Sequence, residues 1–171
     1  MTVDDSWREL KALVWMHVDA QEFARAEPLV RRLIDITDPA DCLRLWNLFG
    51  VLAGVLTELN RPEEATVALR RALSEARRAG PSAAVDAARY MLANHHLHHG
   101  DPQAAVSEAE PFPSGKGHTQ CLLHSVVALA HWKLGHTDEA KASARSALDT
   151  APTEERMQDL SKELREILSA S

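Results

Sequence analysis

The feature that most constrains the fold is a turn-and-alanine pattern that recurs four times along the chain. Each copy has a helix-breaking residue or turn, then acidic or polar residues, then a small alanine that opens an amphipathic helix. The four alanines, spaced 39, 40 and 35 residues apart, are Ala26, Ala65, Ala105 and Ala140. Apolar helical stretches flank each of them. The pattern indicates a helix–turn–helix unit repeated four times, in which neighbouring units bury each other's faces.

The residues at these turns favour helix ends and helix starts. Asn60, Gly100 and Gly135 are suited to the left-handed conformation that ends a helix. Pro62 and Pro102 are suited to the first turn of the following helix, where a missing N–H has no consequence. The alanine allows the two antiparallel helices of a unit to approach closely.

Composition supports a helical fold of one domain. Only 5% of the 171 residues are aromatic and 7 are glycine, while Ala, Leu, Arg and Glu are abundant, which argues against a β-sandwich or barrel. The length is that of a single domain, 1–171. No apolar run is long enough for a transmembrane helix, so we expect no membrane insertion.

The fourth unit carries the clearest family pattern. Its small and apolar positions are Leu134-Gly135-His136-Thr137-Asp138-Glu139-Ala140, Ala144, Ala147-Leu148 and Pro152, with Ala128 one helix earlier. This pattern resembles the tetratricopeptide repeat (TPR) family. Spacings of 39 and 40 exceed the roughly 34 residues usual in that family. They are similar to the longer-helix variants of bacterial regulators.

The resemblance implies an all-α fold, a right-handed solenoid of about four helical hairpins closed by a C-terminal capping helix. The expected repeats span 7–39, 42–80, 84–113 and 119–152, and the capping helix 153–169. Pro111 and Pro113 limit the second helix of the third repeat to about two turns, and the loop 110–117 interrupts the array.

In the TPR family the first helices line a concave groove, and the resemblance implies partner-binding positions there. They are Lys11, Trp15, Val18, Asn47, Val51, Tyr90, Met91, Asn94, Leu97, Leu122, Val126, Leu129 and Trp132. This groove is largely apolar. Gly50 and Gly54 lie one turn apart on the second-repeat helix of this groove. Each glycine destabilises the helix by about 1 kcal/mol relative to alanine. This loss is tolerable where a ligand or a neighbouring helix packs closely against the glycines. Trp15 replaces an Asn that the family uses to hold a C-terminal carboxylate, so we expect no such capture.

Other classes of site find little support. A net charge of −6 argues against duplex nucleic acid as a partner. Gly-rich nucleotide loops, nucleophile elbows and HExxH motifs are missing from the sequence. In the segment Asn94–His99, His95 and His99 lie one helical turn apart and can chelate a transition metal. Two imidazoles make an incomplete site, and we expect instead that His96 is packed inside while the other histidines lie at a solvated helix end.

The two cysteines, Cys42 and Cys121, provide no disulfide framework. Cys121 opens a predicted helix, where the helix dipole can lower the pKa of a thiol, but a structural role is the simpler expectation. The first residues are acidic and lack the pattern of a signal peptide, so a cytoplasmic location is expected.

The sequence therefore predicts a non-enzymatic interaction module, an adaptor or chaperone, without a cofactor or a metal. Its partner is expected to be a protein or peptide that places an apolar segment or helix in the groove. The alternative is a structural subunit that forms a homo-oligomer through the groove or through the terminal helix.

Overall fold

The computed structural model describes residues 3–110, 112, 118–150 and 158–170, and all regular structure within these ranges is α-helical. The helices are α1 (Val3–Asp19), α2 (Phe23–Ile36), α3 (Cys42–Glu58), α4 (Pro62–Ala79), α5 (Ser82–His98), α6 (Pro102–Ala109), α7 (His118–Leu134), α8 (Thr137–Thr150) and α9 (Gln158–Ser169). The predicted all-α class is thus confirmed for the described part of the chain.

The chain divides into two compact units, Met1–Ala88 and Arg89–Ser171, with the division inside α5. In the first unit α2 packs on α1, α3 on α2, and α4 on α3. In the second unit α7 packs on α6, α8 on α7, and α9 on both α8 and α7. Helices therefore pack mainly on their neighbours in sequence.

Four helix ends close with the same hydrogen bond, between the backbone N–H of one residue and the carbonyl five residues earlier. These bonds join Glu22 to His17 (2.8 Å) and, at 2.9 Å each, Arg61 to Leu56, Asp101 to His96 and His136 to His131. The residue before each donor has a positive φ: Gln21 (58°), Asn60 (58°), Gly100 (84°) and Gly135 (77°). The left-handed turns expected at Asn60, Gly100 and Gly135 are confirmed, and Gln21 makes the same turn without a sequence signal.

The four repeated alanines are all fully buried. Ala26, Ala65, Ala105 and Ala140 each have 0% exposure, at the start of α2, α4, α6 and α8. Pro62 and Pro102 begin their helices as expected. A side chain larger than a methyl group at these positions would separate the paired helices, which explains why alanine recurs there.

In the second unit the core is built from small and branched apolar residues of consecutive helices. Ala93 and Leu97 of α5 meet Val106 of α6 and Val127 of α7. Helix α6 has only eight residues, which confirms the shortening predicted from Pro111 and Pro113. Residues 111 and 113–117 of the predicted loop lie outside the described residues.

Helix α9 packs on its own chain through part of the predicted apolar stripe. Leu164 and Ile167 are buried against Ala128 of α7 and Ala144 of α8. These two side chains are therefore occupied within the second unit. The predicted helix start at 153 lies outside the described residues, and α9 is described from Gln158.

Candidate functional site

The first unit contains a cavity of about 410 Å³ between α1 and α3. Its floor is apolar and buried, formed by Val14, Leu33 and Leu48. The walls are Trp7, Lys11 and Trp15 of α1, and Leu43, Arg44, Asn47 and Val51 of α3. A concave, mainly apolar site of this volume, with a few polar groups at its edge, is typical of a ligand pocket.

Helix α1 presents its wall at a regular helical spacing. Trp7, Lys11 and Trp15 are four residues apart, so they lie on one face. The Trp7 indole Nε1–H donates to the hydroxyl oxygen of Thr37 at 3.1 Å. That hydroxyl in turn donates to the carbonyl of Leu33 at 2.6 Å. These two hydrogen bonds connect the indole of α1 to the C-terminal end of α2.

Two cations lie on the Trp7 ring. Lys11 Nζ is 5.3 Å from the ring centroid, and the Arg44 guanidinium carbon is 4.7 Å from it. Arg44 also forms an ion pair with Asp41, with Nε and Oδ2 separated by 3.1 Å. Asp41 is the N-cap of α3 and accepts from the Arg44 backbone N–H at 3.0 Å. The Trp7 ring thus contacts two cations, of which Arg44 is paired with a carboxylate.

The wall formed by α3 continues into an open stretch of backbone. Asn47, Val51 and Gly54 share one helix face by their spacing. Gly54 is exposed, and a Cβ placed there would meet nothing within 4 Å apart from its chain neighbours and the backbone of its own helix. Packing inside the protein therefore does not require this glycine, and the α3 backbone is accessible at that point.

The structure brings together four of the groove residues predicted in the first two repeats: Lys11, Trp15, Asn47 and Val51 line the same cavity. Trp15 retains 42% exposure although it lies against an apolar cavity. Val18 is half-buried and follows on the same helix face, beyond the cavity lining.

The remaining predicted residues lie in the second unit, and several are occupied by its core. Leu97 and Val126 are buried there, each with 3% exposure, and Tyr90 and Leu129 pack against the same core. In this conformation a partner has no access to the two buried residues. The half-buried residues Met91, Asn94 and Leu122 and the exposed Trp132 complete the set.

The histidine segment of α5 differs from expectation. His95 is the buried member, with 8% exposure, whereas His96 is half-buried. The His95 ring lies 4.3 Å from that of His99, and the two ring planes are tilted by 43°. Among the described residues, no group of three or more His, Cys, Asp or Glu side chains is arranged to hold a metal ion.

The environment of Cys121 does not activate the thiol. Cys121 is fully buried in the first turn of α7, and this burial raises the pKa of its thiol. The direction of this shift is opposite to the lowering that a helix dipole can cause, and desolvation is its largest cause. Cys42, at the start of α3, is half-buried.

Sequence reasoning missed three residues of the cavity wall: Trp7, Leu43 and Arg44. The helical spacing in the sequence could have identified two of them, Trp7 and Arg44. Trp7 lies one turn before Lys11, and Arg44 lies one turn before Asn47, so extending each predicted face by one turn finds both.

Comparison with protein-family models and with curated proteins finds no match to this chain. None of the described helices is both long enough and apolar enough to cross a membrane.

Proposed function

We propose that this chain is a non-enzymatic protein-interaction module of the TPR type, which binds an apolar segment of a partner protein between α1 and α3. The observation that carries the proposal is the cavity with Trp15 half-exposed at its edge. Tryptophan at the edge of an apolar pocket is a residue type that dominates binding energy at interfaces.

Support for a repeat module comes from the four equivalent turns. Each has a left-handed residue, the same backbone hydrogen bond, and a fully buried alanine five residues after the left-handed one. A sequence that repeats these three features at similar intervals is typical of stacked helical hairpins. Such arrays generally function through their exposed concave surfaces.

Support for binding without chemistry comes from the cavity lining. Seven of its ten residues are apolar or aromatic, and the others are a lysine, an arginine and an asparagine. This composition favours recognition by burial of an apolar side chain, with polar groups that orient the partner. We propose no cofactor for this site.

The proposal is tested with the full chain and a display library of short peptide segments, followed by affinity measurement on the selected segments. Trp15→Ala is expected to weaken binding by about 2 kcal/mol, roughly thirty-fold. Gly54→Leu is expected to weaken it as well, because the new side chain would occupy the open stretch of α3. Val67→Ala, an exposed apolar site on α4, is the control.

Unchanged affinity in both Trp15→Ala and Gly54→Leu, with helicity intact, would refute this site. Trp132→Ala tests whether the second unit contributes to the same partner. If no segment is selected at all, the function as a peptide-binding module is rejected.

A second candidate, self-assembly, is favoured by one observation. Leu13 and Met16 lie one turn apart on α1 and are 44% and 53% exposed, although they are large and apolar. Burial against another copy would remove this surface from water. Sedimentation over a concentration series, with Leu13→Asp/Met16→Asp as the variant, tests it: a monomer at all concentrations excludes assembly.

A further inference from the structure

The charge at the cavity is opposite to that of the protein as a whole. The chain has a net charge of −6. The ten residues that line the cavity include Lys11 and Arg44 and no carboxylate. A local positive site on an acidic protein attracts negative groups.

The two cations are not equivalent. Arg44 is held by its ion pair with Asp41 as well as by the Trp7 ring, so its charge is partly compensated. Within the described part of the chain, Lys11 contacts the Trp7 ring and no carboxylate. An exposed ammonium of this kind has donors available for a partner at the edge of the cavity.

We infer that the partner segment carries an acidic side chain close to the apolar residue that fills the cavity, and that Lys11 pairs with this carboxylate. The inference rests on the proposed function and adds the charge of the partner to it. An apolar anchor beside a carboxylate matches the apolar floor of Val14, Leu33 and Leu48 beside Lys11.

The contribution of this pair to recognition follows from its position. Because Lys11 is exposed, the ion pair is expected to add modest affinity and to set which segments are accepted. The stacking of Lys11 on Trp7 limits where its ammonium lies, so the carboxylate must come near that end of the cavity. The occupant is a segment within a partner protein, held by a side-chain carboxylate.

The experiment selects segments from a display library in which fixed residues flank the random segment at both ends, so that no chain terminus is available. Wild-type protein is expected to enrich Asp or Glu near an apolar residue. Lys11→Glu is expected to enrich Lys or Arg at the same place. Lys162→Met, an exposed lysine on α9, is the control and should select as the wild type does.

A selected segment is then compared with its Glu→Gln or Asp→Asn form. With wild-type protein the neutral form is expected to bind about five-fold more weakly, and with Lys11→Met the difference should disappear. Raising the salt concentration should reduce the same difference.

Selection of apolar segments without acidic residues would overturn this inference and leave the proposed function standing. The inference would also be overturned if the neutral form of an acidic segment bound more weakly than the acidic form by the same factor with Lys11→Met as with the wild-type protein. A library that yields no segment would reject both the proposed function and the acidic partner. If sedimentation shows that the protein binds only a second copy of itself, self-assembly would replace the acidic partner.

Discussion

The Nδ1 atoms of His131 and His136 lie 3.4 Å apart across the turn between α7 and α8. The equivalent turn between α1 and α2 has His17 and Glu22 in the same places, with Nδ1 and Oε2 2.6 Å apart. The hydrogen bond from His17 lowers the pKa of the Glu22 carboxyl. One turn therefore closes with a histidine–carboxylate pair, and the other with a longer hydrogen bond between two imidazole rings.

Replacing His136 with glutamate should make the two turns alike. We expect His136→Glu to raise the free energy of unfolding by about 0.5 kcal/mol, because the new carboxylate faces His131 at the edge of the protein. Urea unfolding measures this change. In a His131→Gln background the gain should vanish, and an equal gain there would show that the pair is not its source.

The second prediction concerns pH and His124. Burial lowers the pKa of His124, its Nδ1 has no hydrogen-bond partner among the described residues, and its ring stacks on Phe112 at 3.9 Å. The unfolded chain therefore takes up this proton more readily than the folded one. The contribution of neutral His124 to the free energy of unfolding is fully present above the pKa of this histidine in the unfolded chain, about 6.5. It is lost as the pH falls below that value.

We expect His124→Leu to reduce the loss of stability between about pH 8 and pH 5, measured by urea unfolding at each pH. His98→Leu, at an exposed histidine on α5, is the control and is expected to change the pH dependence less. An identical pH dependence in wild type and His124→Leu would contradict the assignment.

More of the fold than of the cavity could be predicted from the sequence, because the fold depends on local signals and the cavity on contacts between distant residues. Turn residues and buried alanines act locally. The roles of Asn60, Gly135 and Ala140 in ending a helix or allowing close helix contact can therefore be predicted from the few residues around each of them. The contact of Trp7 with Thr37 joins residues 30 positions apart and depends on how α1 lies against α2. Which histidine of α5 is buried likewise depends on the packing around the helix, and the apolar pattern could not distinguish His95 from His96.

The third prediction tests that long-range contact. Trp7→Phe keeps an aromatic ring under the two cations but removes the donor to Thr37, at a cost of about 1 kcal/mol in unfolding free energy. Thr37→Val removes the acceptor. Thr37→Val also removes the hydrogen bond that this hydroxyl donates to Leu33. The loss in the double variant should still be smaller than the sum of the two single losses, since both variants remove the hydrogen bond between Trp7 and Thr37. Additive losses would show that the 3.1 Å contact contributes nothing.

The fourth prediction compares two left-handed turns. Gly135→Ala places a Cβ at φ 77° and is expected to destabilise the protein by about 1 kcal/mol. Gln21→Gly, at φ 58°, should stabilise it by about 0.5 kcal/mol, since the greater freedom of glycine in the unfolded chain offsets part of the relief. Thermal unfolding measures both. Gln21→Ala is the matched control, and a gain there equal to that of glycine would exclude backbone strain as the cause.

The packing of helices on their sequence neighbours has a kinetic consequence. Short turns separate α1, α2, α3 and α4, and each of these helices meets the next without a long excursion of the chain. Low contact order of this kind is associated with folding in roughly microseconds to milliseconds. Within each unit, a hairpin that has formed exposes an apolar face on which the next helix can pack. Folding can therefore begin at several hairpins along the chain and extend to the neighbouring helices.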